Sequence, residues 1–248
     1  MPRKRKQSLQ APEQTQSLLS ELCWLKAVYH FHVFHYRMPQ TAAIAAITPF
    51  VPSPLTVKFA MVASLLQLGR YSEAEALARA LPKIEVRIVP PLAAFSFKAF
   101  LRYRSVPAVE SAGELDESGS FYPSRPHTRE YSLFQGDLIV FVGIYQDAQS
   151  VALDALKNIR YLGCKDSLVW CKEVLPVNQP DMQASVQPLK EQQPGAVVLL
   201  ADVKQGITLE LRQIIPGRRD ESHYVHQPYT LYGSIRTSGR TKVFQRQN

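Results

Sequence analysis

Cysteine is scarce in this chain of 248 residues: Cys23, Cys164 and Cys171 are all there is, and no pair has the spacing of a metal site. An odd and scattered set argues against a disulfide framework and reads as thiols beside apolar runs in a reducing cytoplasm. Long apolar runs are missing too. The longest, residues 59–68 and 197–201, fall well short of the roughly 20 residues a spanning helix requires, so no transmembrane segment is expected. Glycine-rich phosphate loops are absent: Gly163 stands alone in its turn, with no Walker or dinucleotide pattern around it, and no nucleotide cofactor is implied. Acidic residues are in deficit as well, 21 against 29 Lys and Arg, which leaves a net charge of +8.

That excess, with a pI near 9.4, favours a polyanionic partner held by phosphate neutralisation, with nucleic acid ahead of an anionic membrane surface. The remaining composition, 46% hydrophobic and 10% aromatic, is that of a folded chain of one large or two small domains. Only the start departs from it. Met1-Pro2-Arg3-Lys4-Arg5-Lys6 has the charge of a secretory leader, but Gln and Glu come next where an apolar stretch should be, so residues 1–18 are expected to form a flexible basic arm.

Periodicity orders the rest of the chain. Residues 28–37 alternate as a strand, with Tyr29, Phe31 and Val33 on one face and His30, His32, Phe34 and Tyr36 on the other. A proline-rich loop leads into a helix at 55–68 that stops at Gly69. A second helix is expected at 72–80, with Ser72 capping it and Glu75 completing a capping box. Strands are expected at 84–89 and 95–104. Residues 105–128, with Pro107, Gly113, Gly119, Pro123 and Pro126, read as a protruding loop or thumb. Residues 129–134 and 138–145 flank a Gln135-Gly136-Asp137 turn and read as a hairpin; a helix at 150–159 and a strand at 167–174 complete the series.

The resulting β-α-β-β-α-β order predicts an α+β fold of the ferredoxin-like kind, with one sheet face open to a ligand, as in RNA-recognition modules. Short strands at 196–203, 207–214 and 229–235 suggest a small β-rich C-terminal subdomain over 177–248, packed on a first domain at 19–176.

Three segments then carry a resemblance. They are Phe34 through the Pro52-Ser53-Pro54-Leu55 loop into the first helix, Thr128-Arg129-Glu130-Tyr131 after the thumb, and Tyr161-Leu162-Gly163-Cys164-Lys165-Asp166-Ser167-Leu168-Val169 before the last strand. In type and order they resemble the Cas-five family of the RAMP superfamily, over most of residues 28–174. The resemblance implies a cytoplasmic prokaryotic protein that caps the 5′ handle of a CRISPR guide RNA. Its implied partners are the crRNA handle, the Cas-seven-like backbone and Cas-eight-like large subunits of a Cascade complex, and target DNA nearby. It implies no membrane, no cofactor and no catalytic residue.

Cations beside the three segments, Arg37, Lys58, Arg102, Arg104 and Arg129, are the expected contacts to RNA phosphates. Tyr36, Tyr103 and Tyr131 beside them are the expected platforms for unstacked bases, and His35 joins this set. The ordinary reading competes at each position: surface cations solvate the fold and aromatics fill the core. His30, His32 and His35 lack a supporting carboxylate or thiol and read as hydrogen-bonded strand histidines, not a metal site. One branch of the family cleaves precursor RNA with a tyrosine, a lysine and a histidine; Tyr36, Lys58 and His35 supply those types, which makes a metal-independent ribonuclease the alternative. A generic RNA-recognition module is the third reading.

Overall fold

Alternation of apolar and polar residues makes β1 (Cys23–Phe31) a two-faced strand: Leu25, Ala27, Tyr29 and Phe31 enter the core, and Lys26 and His30 face away from it. The computed structural model describes residues 22–34, 45–46, 49–104, 115, 124–182, 184–190, 194–214 and 221–247. The basic arm expected over 1–18, most of the expected thumb, and His35, Tyr36 and Arg37 lie outside the described residues.

After β2 (Ala45–Ala46) comes α1 (Pro54–Gln67), a helix with clear local causes. The Ser53 hydroxyl accepts from the Thr56 amide at 3.3 Å, Pro54 occupies the first turn, and Gly69 lies just past the end with φ 75°. The helices α2 (Tyr71–Ala80) and α3 (Gln149–Lys157) pack beside it. The remaining strands are β3 (Glu85–Val89), β4 (Ala93–Arg104), β5 (Ser124–Gln135), β6 (Leu138–Ile144), β7 (Val169–Val177), β8 (Gln187–Pro188) and β9 (Ala196–Val203). The short helical turn α4 (Leu211–Ile214) precedes β10 (Tyr224–Leu231), β11 (Gly233–Ser238) and β12 (Thr241–Arg246).

The described strands form three sheets. The first has the order β3-β6-β1-β7 with every neighbouring pair antiparallel, so that β6 lies between β1 and β3, and β1 between β6 and β7. α1 and α3 cover one of its faces. There the Tyr29 hydroxyl donates to the Leu156 carbonyl at 2.7 Å, and Ser64 Oγ donates to the Ala155 carbonyl at 2.8 Å, fixing α3 to the sheet and to α1. On the opposite face Trp24, Phe141 and Val89 form a small separate cluster.

The second sheet, β11-β12-β4-β5-β2, is built on a ladder that pairs β4 with β5 from Ala93 opposite Gln135 to Arg104 opposite Ser124. The third is β8-β10-β9. Glycines sit where the chain crosses between sheets. Gly136, at φ 91°, turns β5 of the second sheet into β6 of the first. Gly233 turns β10 into β11, and a Cβ there would lie 2.3 Å from the Gln245 carbonyl oxygen.

Several elements differ from the sequence reading. The first strand starts five residues earlier, and after Phe31 the chain bends, so that Phe34 enters the core instead of keeping the alternation. α2 begins at Tyr71 without a side-chain cap; Arg70 steadies it through Glu73 and through Asp154 at 3.0 Å. β5 and β6 are not a hairpin, because each finds its partners in a different sheet. β5 begins at Ser124, inside the span expected to be loop, and 207–214 holds a helical turn in place of a strand. In the C-terminal third, β12 pairs with β4, and Leu200, Val203, Tyr229, Leu231 and Phe244 join the same core as Leu25 and Val62.

Candidate nucleic-acid interface

Three stretches far apart in sequence meet along β5. Phe34 and Ser132 exchange backbone hydrogen bonds of 2.8 Å each. Ala45 and Ala46 pair in parallel with Thr128 and Arg129. The guanidinium of Arg129 donates to Asp166 at 2.8 Å, which brings in the turn before β7. That turn is closed by the Ser167 amide on the Cys164 carbonyl at 2.9 Å, with Gly163 at φ 101°. All three segments singled out in the sequence therefore converge on residues 128–132.

The strand itself is anchored from below. Glu130 is 2% exposed; Ser96 Oγ donates to it at 2.9 Å and the Lys242 ammonium lies at 3.6 Å, so a carboxylate that would be costly to bury alone is compensated. On the outer face the Tyr131 ring stacks on Phe97 with centroids 5.9 Å apart, next to half-exposed Phe95 and Leu133. A ladder with Glu130 and Ser96 paired on one face and an aromatic stack on the other is a fixed frame for a ligand lying along it.

The expected site residues separate on this frame. Arg129 and Tyr131 lie on it. Arg102, Tyr103 and Arg104 lie on the far part of β4, with their backbone paired to Pro126, Arg125 and Ser124. Lys58 does not belong to it: the residue is 2% exposed, and its ammonium pairs with Asp202 of β9 at 2.7 Å. The cause is α1, which is apolar on nearly all sides because the first sheet covers one side and β9 another, leaving Lys58 no path to solvent. Its assignment as an exposed RNA contact is corrected to a core ion pair.

Of the three expected strand histidines, His30 lies in β1 and makes a hydrogen bond, and His32 is exposed just past the end of that strand. His30 Nδ1 lies 3.2 Å from Asp137, which also accepts from the Lys172 ammonium at 2.8 Å. Burial by itself would raise the Asp137 carboxyl, but the hydrogen bonds from Lys172 and His30 hold it below its ordinary value. No group of three or more His, Cys, Asp or Glu suited to a metal occurs among the described residues. Burial pushes the Cys171 thiol up, away from the reactive thiolate.

Sequence reasoning missed Trp170, half-exposed in β7 and next to His30 and His32. Its position opposite in parity to Val169 and Cys171, which pack on the core, was the available signal. No described helix is long and apolar enough to cross a membrane.

No protein-family profile matches the chain. Among characterised proteins it is 24% identical, over 90% of its length and 99% of the relative's, to the CRISPR-associated protein Cas5 of Archaeoglobus fulgidus. The similarity to this Cas5 runs over nearly the full length of both chains. Among solved structures it is similar to a CRISPR protein from Archaeoglobus fulgidus, with 13% identity over 91% of this chain and 92% of that one and a TM-score of 0.40. It is also similar to a chain of a CRISPR RNA-guided surveillance complex, with 13% identity, 84% and 87% coverage and a TM-score of 0.36. The Cas5 alignment spans the C-terminal third as well, which lies beyond the three sequence segments.

Proposed function

We propose that this chain is an RNA-binding subunit of a Cascade-type CRISPR effector complex, and that it caps the 5′ handle of the crRNA along β5. The observation that carries the reading is the convergence of the three segments on residues 128–132, in a chain similar to Cas5 over nearly its full length. The interleaved order β3-β6-β1-β7, with helices on one face, supports a ferredoxin-like RAMP architecture beneath that site. The 12-residue ladder of β4 and β5 supports a thumb projecting from it.

The subunit grips RNA without cutting it. A short handle offers phosphates and splayed bases; Arg129 suits the first and the Tyr131–Phe97 stack the second. Burial of Lys58 favours binder over ribonuclease. Cas-seven-like and Cas-eight-like subunits are its neighbours in this reading, with target DNA close by and defence or guided transposition as the outcome.

Binding to a labelled repeat-derived RNA, measured against salt, tests it. Arg129→Gln should weaken binding and reduce the slope of log K on log salt by about 0.7 for each phosphate no longer neutralised. Repeat RNA incubated with the protein in chelator should stay intact. An unchanged slope in the variant, or cutting that persists in chelator, contradicts the reading.

A further inference from the structure

Among the described residues no helix covers the second face of the first sheet, and at the C-terminal end of β1 that face carries an aromatic group with no part in the core. Trp170 is 52% exposed. The His30 ring lies against it, with centroids 4.8 Å apart and a 34° tilt, and His32 meets it at 80° and 5.7 Å. Asp137 fixes His30 from behind and is itself held by Lys172, so the imidazole is positioned and not merely present. Exposed Leu168 precedes the indole by two residues on the same side of the strand.

This group is joined to β5 by a short path. The Val169 amide donates to the Arg160 carbonyl at 2.9 Å, Tyr161 pairs with Leu168, and Asp166 at the far side of the same turn holds Arg129. Arg160 and Lys165 are exposed on that turn, and Lys172 is exposed beyond it. Arg160 and Lys165 thus belong to the same turn that links the partner of Arg129, Asp166, to the strand of the indole.

From this continuity we infer that Trp170, flanked by His30 and His32, is a second RNA subsite, which stacks one unpaired nucleobase of the strand bound at β5. The inference rests on the RNA-binding function proposed above. An indole presents a broad face to any base, so the subsite adds affinity without strong sequence preference. The imidazoles bound the position on two sides, and the turn cations meet the adjoining phosphates.

The chain has two tryptophans, and Trp24 is buried at 6% exposure and shielded from contact with RNA, so contact quenching by a bound base reports mainly on Trp170. Full-length protein is titrated with single-stranded poly(U) and poly(A) RNA, following tryptophan emission and the anisotropy of labelled RNA together. Stacking predicts quenching that saturates with binding, a loss of affinity of about 5- to 100-fold in Trp170→Ala, and near-native affinity in Trp170→Phe. If RNA binds and Arg129→Gln weakens it, but wild-type emission is unmoved and Trp170→Ala binds normally, the subsite is refuted while the β5 site stands; the face is then left to a protein partner. If no RNA binds at all, both readings fall together. The wild-type emission needs no variant to fold.

Discussion

Replacing Lys58 separates the structural account from the reading that its charge alone suggests. Lys58→Met keeps the aliphatic stem and removes the ammonium that lies 2.7 Å from Asp202. Breaking a buried ion pair costs about 3–5 kcal/mol when the remaining charge stays buried. Asp202 retains 24% exposure and also accepts from the Val203 amide at 2.7 Å, so part of its charge is still solvated or bonded. The cost should therefore fall to about 2–3 kcal/mol. In a chain of this size each kcal/mol lowers Tm by about 2–4 °C, which gives a fall of about 4–12 °C by calorimetry. Adding Asp202→Leu removes the orphaned carboxylate and should restore most of the loss. RNA affinity of the folded variant should be unchanged. A variant that melts like wild type but loses RNA would refute the reasoning and return Lys58 to the interface.

The same geometry sets the outcome of other perturbations. Asp137 has a carboxyl held below its ordinary value, so the stability it contributes is present above about pH 4 and is lost as pH falls through the lower, folded value. Asp137→Asn should flatten the acid limb of a Tm-against-pH curve and cost no more than about 1 kcal/mol near neutrality, since its partners are partly exposed. A Cβ at Gly143 would lie 2.9 Å from the Trp24 ring and 3.1 Å from Leu22, so Gly143→Ala should destabilise by about 1–3 kcal/mol in a urea melt. An unchanged midpoint would mean that the small cluster around Trp24 yields freely.

Much of the fold is legible in the chain because the signals are local. Ser53, Pro54 and Gly69 delimit α1, and the alternation around Tyr29 and His30 assigns the two faces of β1 correctly. The pairing of β5 is not legible, because a turn such as Gln135-Gly136-Asp137 looks the same whether it joins two paired strands or carries the chain from one sheet to another. A subtler difference is available. β5 alternates, with Glu130, Ser132 and Phe134 inward and Tyr131 and Leu133 outward, whereas β6 is apolar almost throughout, so the two suit different layers. Lys58 is misplaced by sequence reasoning because charge is read as exposure, and only the arrival of β9 on the second side of α1 buries it. Trp170 escapes the same reasoning because its ring neighbours, His30 and His32, come from a segment far away in sequence.

Purifying the complex from its own cells and sequencing the 5′ ends of the RNA that accompanies this chain tests the central claim most directly. A population sharing one repeat-derived 5′ end is the predicted result. Heterogeneous ends, or intact protein without RNA, would contradict it.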